Sequence, residues 1–514
     1  MRSQPAASPG VNRGAVTASI MLATFMQGVD TTITNVALPH MQGSLSASQD
    51  QIAWVVTSYI VAAAIMTPLT GWLAGRFGIK YVFLISVTGF TIASALCGAA
   101  TSLFQLVGYR LLQGVCGAAL VPLSQAVLFQ INPPERHAKA MAVWGMGVII
   151  GPIIGPALGG WLTDSYNWRW VFYINLPAGV LSAAGIAVFI HETGRAHRES
   201  FDFFGFATLS LAIGALQMML DRGELKDWFG SSEIWIEATI AALGAYLFIV
   251  HTATANERSF LNRELLKDKN CMTGTVMMFL FGIPLYGTMT LLPLMMQSLM
   301  NYPVVTTGLI TAPRGIGTMV AMFLCGRLAG RIDIRLIILC GMIFSIAGLW
   351  QMSGFSLQMD ERSIIVSGLL QGFGLGMVFT SLSAITFSTL PRQYLTQGTA
   401  LFSLMRNVGG SIGISGVIAL LTENTQIVHS RLVENLRPDN PLARGPFLGP
   451  VFSLTNPHGI AALNAEATRQ AAMVAYLDDF KLMMLIVAVS TPLLLLLRRP
   501  PARPGGGAAP VPAD

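Results

Sequence analysis

The chain has 514 residues, of which 53% are hydrophobic and 11% charged, against roughly 25% charged in soluble domains. That composition excludes a soluble enzyme or regulator and makes the chain an integral membrane protein. The net charge of +6 does not imply nucleic-acid binding, because the basic residues are spread over short turns and form no clustered basic face.

The first 15 residues lack the apolar core of a signal peptide, so the first span itself is expected to target the membrane. Apolar spans of about 20 residues, enough to cross roughly 30 Å of hydrocarbon, begin near residues 16, 53, 81, 104, 139, 170, 203, 233, 271, 304, 336, 362, 397 and 480. This predicts an all-α membrane protein of 14 helices. With the N-terminus inside, 19 Lys and Arg face the cytoplasm, nine lie outside and three lie within spans. Five of the outer nine sit in one long segment, so the short-loop contrast is 19 against four and both termini are placed in the cytoplasm. Cys97, Cys116, Cys271, Cys325 and Cys340 fall in apolar spans without paired spacing and read as core residues rather than disulfides or a metal site.

Leu73-Ala74-Gly75-Arg76 returns as Leu328-Ala329-Gly330-Arg331, and Leu111-Leu112-Gln113-Gly114 returns as Leu369-Leu370-Gln371-Gly372, at offsets of 255 and 258. Two matches at offsets within three residues of each other indicate duplication, and duplicated membrane bundles enclose a substrate path at their interface. Offsets of this size leave room for two helices between the halves. The expected organisation is a cytoplasmic tail at 1–15, a six-helix bundle at 16–190, inserted helices seven and eight with cytoplasmic linkers at 191–270, a second six-helix bundle at 271–498 and a disordered cytoplasmic tail at 499–514. The second bundle includes an external loop at 422–479, whose Ala-rich part from Ile460 to Tyr476 reads either as a surface helix or as a solvated connection.

The charges inside the spans carry the chemistry. Asp30 is the only acid deep within a predicted span, and an ionisable group there is costly enough to make function the default expectation. Gln27, Asp30, Thr31 and Thr34 form one polar stripe at helical spacing, with Asn35 beside it. Asp30 lies about 21 Å up an outward-running helix and Arg110 about 10 Å down an inward-running one, depths that coincide in a core of roughly 30 Å. A carboxylate beside a guanidinium can be a proton site or a static ion pair orienting two helices. At the repeat offset, Asp30 maps near Leu285 and Tyr286, and Arg110 onto Gly368, so the second half lacks this pair. It presents instead Arg314 after Pro313, and Arg406 beside Asn407. One acid against three arginines favours neutral or anionic amphiphiles, unless each arginine merely snorkels or bonds carbonyls.

In the fifth span, Gly147, Gly151, Gly155-Pro156 and Gly159-Gly160, with Pro152, permit either a hinge or tight packing. In the turns at 71–80 and 326–335, Gly71, Arg76, Gly78, Lys80 and Arg331 either latch an inner gate or hold topology. His197 and Asp202 have an HxxxxD spacing found in acyl transfer, but no converging polar site accompanies them, and an enzyme is not expected. The chain has no P-loop, so an ion gradient rather than ATP is the expected energy source. No cofactor and no metal are expected.

These residues resemble the major facilitator superfamily, specifically its fourteen-helix drug:proton antiporter branch of EmrB/QacA-type exporters, over nearly the whole chain. Gln27 to Pro39 is similar to the branch's first-helix motif, with Asp30 in the position linked to coupling. Arg110 with Gln113-Gly114 resembles the fourth-helix motif, whose arginine is linked to proton transfer. Gly151, Gly155-Pro156 and Gly159-Gly160 match the antiporter motif of exporters, and Trp168-Arg169-Trp170 through Asn175-Leu176-Pro177 matches the entry to the sixth helix. One departure is that Gly75 precedes Arg76 where the family carries an acid, and Ile79 stands before Lys80 in place of a common basic residue. A charge relay through that acid is therefore not expected. The resemblance implies proton-coupled export of hydrophobic or amphiphilic drugs across a bacterial inner membrane by alternating access, with one endogenous metabolite such as a siderophore or fatty acid as the alternative cargo. Gln27, Thr31, Thr34, Asn35, Gln113, Arg314, Arg406 and Asn407 are its candidate substrate contacts. Implied partners are amphiphilic small molecules, protons, the bilayer, and a periplasmic adaptor with an outer-membrane channel.

Overall fold

A computed structural model of the chain describes residues 12–133, 136–191, 201–254, 263–434 and 456–498, with residues 436 and 452 between the last two stretches. The helices begin where short polar side chains cap them. Ser48 and Gln51 form a reciprocal capping box, and Ser102, Asp202, Asp268, Asp360 and Asn456 each accept a backbone N–H of the following helix.

The first bundle comprises α1 (Arg13–Ser44), α2 (Gln49–Met66), α3 (Leu69–Phe77), α4 (Ile79–Ala99), α5 (Leu103–Gly117), α6 (Leu120–Ile131), α7 (His137–Ser165), α8 (Trp170–Tyr173) and α9 (Asn175–Phe189). The inserted pair is α10 (Phe203–Arg222) and α11 (Ser232–Thr254). After the short α12 (Arg263–Lys267), the second bundle comprises α13 (Lys269–Ser298), α14 (Val304–Leu328), α15 (Ile334–Met352), α16 (Glu361–Thr386), α17 (Leu395–Glu434) and α18 (Pro457–Ser490).

Among the described residues 12 helices are long and apolar enough to cross a membrane, or 13 when Gln51–Met66 and Leu69–Phe77, bent by 56° at Pro68, count as one span. The expected 14 is reached only by adding α1, which has the length, at 32 residues, while the polar run around Gln27 to Thr34 dilutes its hydropathy. Large apolar side chains such as Ile85, Leu181, Ile249 and Trp350 stay exposed on the outer faces, as lipid-facing residues must.

The internal repeat is visible in the packing. In the first bundle α1 lies on α7 and α9, α2 on α5, and α4 on α5 and α9. In the second, α13 lies on α17 and α18, α14 on α16, and α15 on α16 and α18, the same five pairings in the same order. The bundles meet through α7 on α14 and through α3 and α6 on α17. Close approaches across that boundary are Gly71 to Gln397, Gly145 to Met322 and Gly326 to Ala142, with Trp144 stacked on Phe379 and the Thr399 hydroxyl donating 3.0 Å to the Pro122 carbonyl. These contacts sit in the halves of the bundles that carry the basic turns.

The inserted pair leans on both bundles. Thr57 on α2 donates to Asp221 on α10, and Ser415 on α17 donates 2.6 Å to the Leu220 carbonyl. The turn joining α10 to α11 is held by Arg222, 2.7 Å from Glu233 and 3.0 Å from Glu237. The segment read as an external loop is shorter than expected, because α17 runs on to Glu434 and α18 starts at Pro457. Ile460 to Tyr476 is therefore the first part of the last helix rather than a separate surface helix.

Candidate functional site

Asp30 on α1 is 0% exposed and Arg110 on α5 is 1% exposed, yet neither is stranded in the core. Arg110 Nη1 lies 2.7 Å from Asp30 Oδ2. Gln113 Nε2 and Asn175 Nδ2 each donate to Asp30 Oδ1 at 2.8 Å. Three donors from two further helices thus satisfy one carboxylate, the condition under which a buried charge is tolerable.

The rest of the guanidinium is also engaged. Its Nε donates to the Val55 carbonyl at 3.1 Å, its Nη1 also reaches Gln113 Oε1 at 2.8 Å, and its Cζ lies 4.5 Å from the Tyr59 ring centroid. Asn175 is held in turn by Ser94, whose hydroxyl donates 2.8 Å to the Phe172 carbonyl while accepting from Asn175 at 3.0 Å. The site thus draws on α1, α2, α4, α5 and α9, and lies inside the first bundle.

The expected polar stripe is only partly assembled. Thr34 donates to the Asp30 carbonyl of its own helix at 2.7 Å, and Thr31 donates to the Gly28 carbonyl at 3.0 Å. Gln27 donates weakly to the Tyr59 hydroxyl at 3.4 Å, and its buried Oε1 has no hydrogen-bond partner. Asn35 is exposed. Gln113, expected as a substrate contact, is instead fully buried and spent on Asp30 and Arg110.

The second bundle carries a counterpart in which an arginine meets neutral acceptors. Arg314 Nη2 donates to Thr288 Oγ1 at 2.8 Å and to the Leu285 carbonyl at 3.0 Å, and Gln371 Nε2 donates to Thr288 Oγ1 at 2.9 Å. Thr288 and Gln371 stand at the same offset, 258, from Asp30 and Gln113. The repeat therefore maps Asp30 onto Thr288 rather than onto Leu285 or Tyr286. Among the described residues Arg406 reaches only its neighbour, Asn407 Oδ1, at 3.3 Å.

Gly147, Gly151, Gly155 and Gly159 of α7 lie against α1. A Cβ on Gly151 would stand 3.0 Å from the Phe25 carbonyl oxygen, and one on Gly159 would stand 2.7 Å from Ile33. Gly155 faces Thr32 and Gly147 faces Met21, whereas Gly160 has open space and the helix runs unbroken through Pro152 and Pro156. These contacts fit close packing directly beside Asp30.

Of the basic-turn residues, Gly71 meets Gln397 of the other bundle and Gly78 adopts φ +93° at the α3–α4 junction, a conformation suited to glycine. Lys80 donates 2.7 Å to the Ala187 carbonyl within its own bundle. Arg76 is exposed beside Trp72, and Arg331 is exposed.

Asp30 is not the only buried acid. Asp479 on α18 is 1% exposed, and neither of its carboxylate oxygens has a hydrogen-bond partner among the described residues. The contact of Asn175 with Asp30 has no signal in spacing or composition, although the residue belongs to the Trp168 to Pro177 motif. Asp202 caps α10 and pairs with His251 at 2.8 Å, and His197 lies outside the described residues. Cys97, Cys271 and Cys325 are buried and free.

Comparison with known proteins identifies the frame that holds this site. The family described as Major Facilitator Superfamily matches residues 20–414. The multidrug export protein EmrB of Escherichia coli strain K12 is 37% identical over 84% of this chain and 85% of its own length. The fatty acid resistance protein FarB of Neisseria gonorrhoeae is 37% identical over 82% of this chain and 83% of its own. Among solved structures, the proton:xylose symporter XylE shares the fold with a TM-score of 0.59 at 13% identity, covering 94% of this chain and 99% of that one.

Proposed function

The chain belongs to the major facilitator superfamily as an EmrB-like multidrug exporter rather than an enzyme, and from that premise we propose that Asp30 is the group through which it couples export to protons. The observation that carries this reading is a carboxylate at 0% exposure held by one cation and two amides. Protonation of Asp30 cancels the charge that Arg110, Gln113 and Asn175 bind. Arg110 then loses its anion, and the grip of α5 and α9 on α1 weakens. Because α1 is also locked against α7 by glycines, that loosening reaches the helix that packs on the second bundle. Proton release restores the grip, and the two lobes rock between these states. One proton crossing 100 mV supplies about 2.3 kcal/mol, which offsets a substrate gradient of roughly fiftyfold.

The cargo is a hydrophobic or amphiphilic drug. Among the described residues Arg314 and Arg406 have only neutral partners, which supports neutral and anionic compounds. A single endogenous fatty acid is the second reading, favoured by those arginines and by the name of FarB. The protein is a multi-pass inner-membrane protein, and the 19-to-four basic asymmetry supports cytoplasmic termini. We divide the helices into six, two and six, a reading that the repeated packing pairs support. We assign a periplasmic adaptor and outer-membrane channel as partners, and the outward run of α17 and α18 supports a docking post for them.

The test uses inverted vesicles with an imposed pH gradient and a panel of chemically unlike compounds. Asp30→Asn abolishes gradient-driven uptake of every compound while leaving the protein folded. Uptake at the normal rate that remained sensitive to uncouplers would refute the assignment. Export confined to one fatty acid selects the second reading.

A further inference from the structure

In the half of the first bundle that carries the basic turns, a groove of about 840 Å³ runs between α1 and α7. Its mouth holds Arg13, Arg136 and Lys139, and its walls include Leu22, Phe25, Val143 and Ile150. Arg136 and Lys139 are exposed, Arg13 is partly exposed, and no described carboxylate pairs with any of the three. Arg13 opens α1 and Arg136 immediately precedes α7, so the three cations stand at the membrane boundary. From Arg13 to Phe25 the groove follows α1 for about 18 Å, close to one leaflet of a hydrocarbon core roughly 30 Å thick.

We propose that this groove binds an acidic phospholipid drawn from the leaflet beside the basic turns. The phosphate sits among Arg13, Arg136 and Lys139, and one acyl chain lies along Leu22, Phe25, Val143 and Ile150. Cations with no carboxylate partner among the described residues favour a negative headgroup at the rim, and the apolar walls at chain depth select a lipid over a free inorganic anion. The groove is distinct from the Asp30 site, which lies among α1, α2, α4, α5 and α9. The two sites share helix α1, and the Phe25 carbonyl in the groove is the atom that Gly151 of α7 approaches. A lipid seated there braces the α1–α7 contact from the outside.

Native mass spectrometry of the purified full chain tests this with phosphatidylglycerol, phosphatidylcholine of the same chains, and free laurate as probes. The wild type retains phosphatidylglycerol over phosphatidylcholine by about tenfold or more, and melts at a higher temperature in its presence. The combined variant Arg13→Gln, Arg136→Gln, Lys139→Gln loses that preference, and Ala18→Trp, which fills the groove without altering charge, loses retention of phosphatidylglycerol. Asp30→Asn keeps it, so the result stands apart from the proton reading. Equal retention of the two phospholipids, or unchanged retention in both groove variants, overturns the proposal. Laurate that displaces phosphatidylglycerol at comparable concentration assigns the same headgroup chemistry to free amphiphiles and overturns the phospholipid assignment.

Discussion

The first half of the molecule buries an acid with three donors around it, while the second buries an acid with none among the described residues and points Arg314 at neutral oxygens. Asp30 and Asp479 are equally withdrawn from solvent, at 0% and 1% exposure, but Asp30 is met by Arg110, Gln113 and Asn175 and Asp479 by no described partner. Conversely, Arg110 has a carboxylate while Arg314 has the Thr288 hydroxyl and a backbone carbonyl. The duplicated frame, an acceptor on the first helix of each half and a glutamine on the fourth, survives in both. Only one copy carries a compensated charge. Shared packing thus fixes where polar groups can meet, and the identity of a single side chain decides whether a proton can change anything there.

The largest effect comes from removing that charge. Asp30→Asn eliminates accumulation against a gradient in vesicles, whereas Thr288→Val, its counterpart, leaves gradient dependence intact. Equal loss in both variants would erase the contrast between the halves. Arg110→Ala leaves a buried carboxylate without its cation and lowers stability by about 3–5 kcal/mol, read by thermal unfolding in detergent. Asn175→Ala removes one hydrogen bond to a charged group and costs about 1.5–3 kcal/mol, while Gln371→Ala removes one between neutral groups and costs about 1 kcal/mol. Similar losses for the last two would mean that the charge at Asp30 adds nothing to its contacts. Asp479→Leu removes a carboxylate that is desolvated without a hydrogen-bond partner among the described residues and raises stability by about 1 kcal/mol. A fall in stability there would reveal a partner for Asp479.

The pairing of Asp30 with Arg110 was legible because both are ionisable residues in apolar runs and their depths follow from the rise of a helix. The duplication was legible from two short repeats, and its packing consequence is the set of matched helix pairs. Asn175 was harder to read. Its aim depends on the break between α8 and α9, and an amide in a span looks the same whether it binds a carboxylate or a carbonyl. Asp479 was missed for a plainer reason. The last apolar run begins near residue 480, but the helix that contains it begins at Pro457, so an acid just before the run sits well inside a packed helix. Hydropathy marks where lipid starts, and says little about where a helix does.

The 40 residues of α17 make a rod of about 60 Å, roughly twice the hydrocarbon thickness. Packed along α13 and α18 in the second lobe, it has the length of a lever arm. A swing of about 10° at mid-membrane carries its tip through roughly 8 Å, a stroke large enough for a distance label to follow. The sub-nanometre rearrangement of a hidden core would thereby be written out, magnified, on the far side of the bilayer.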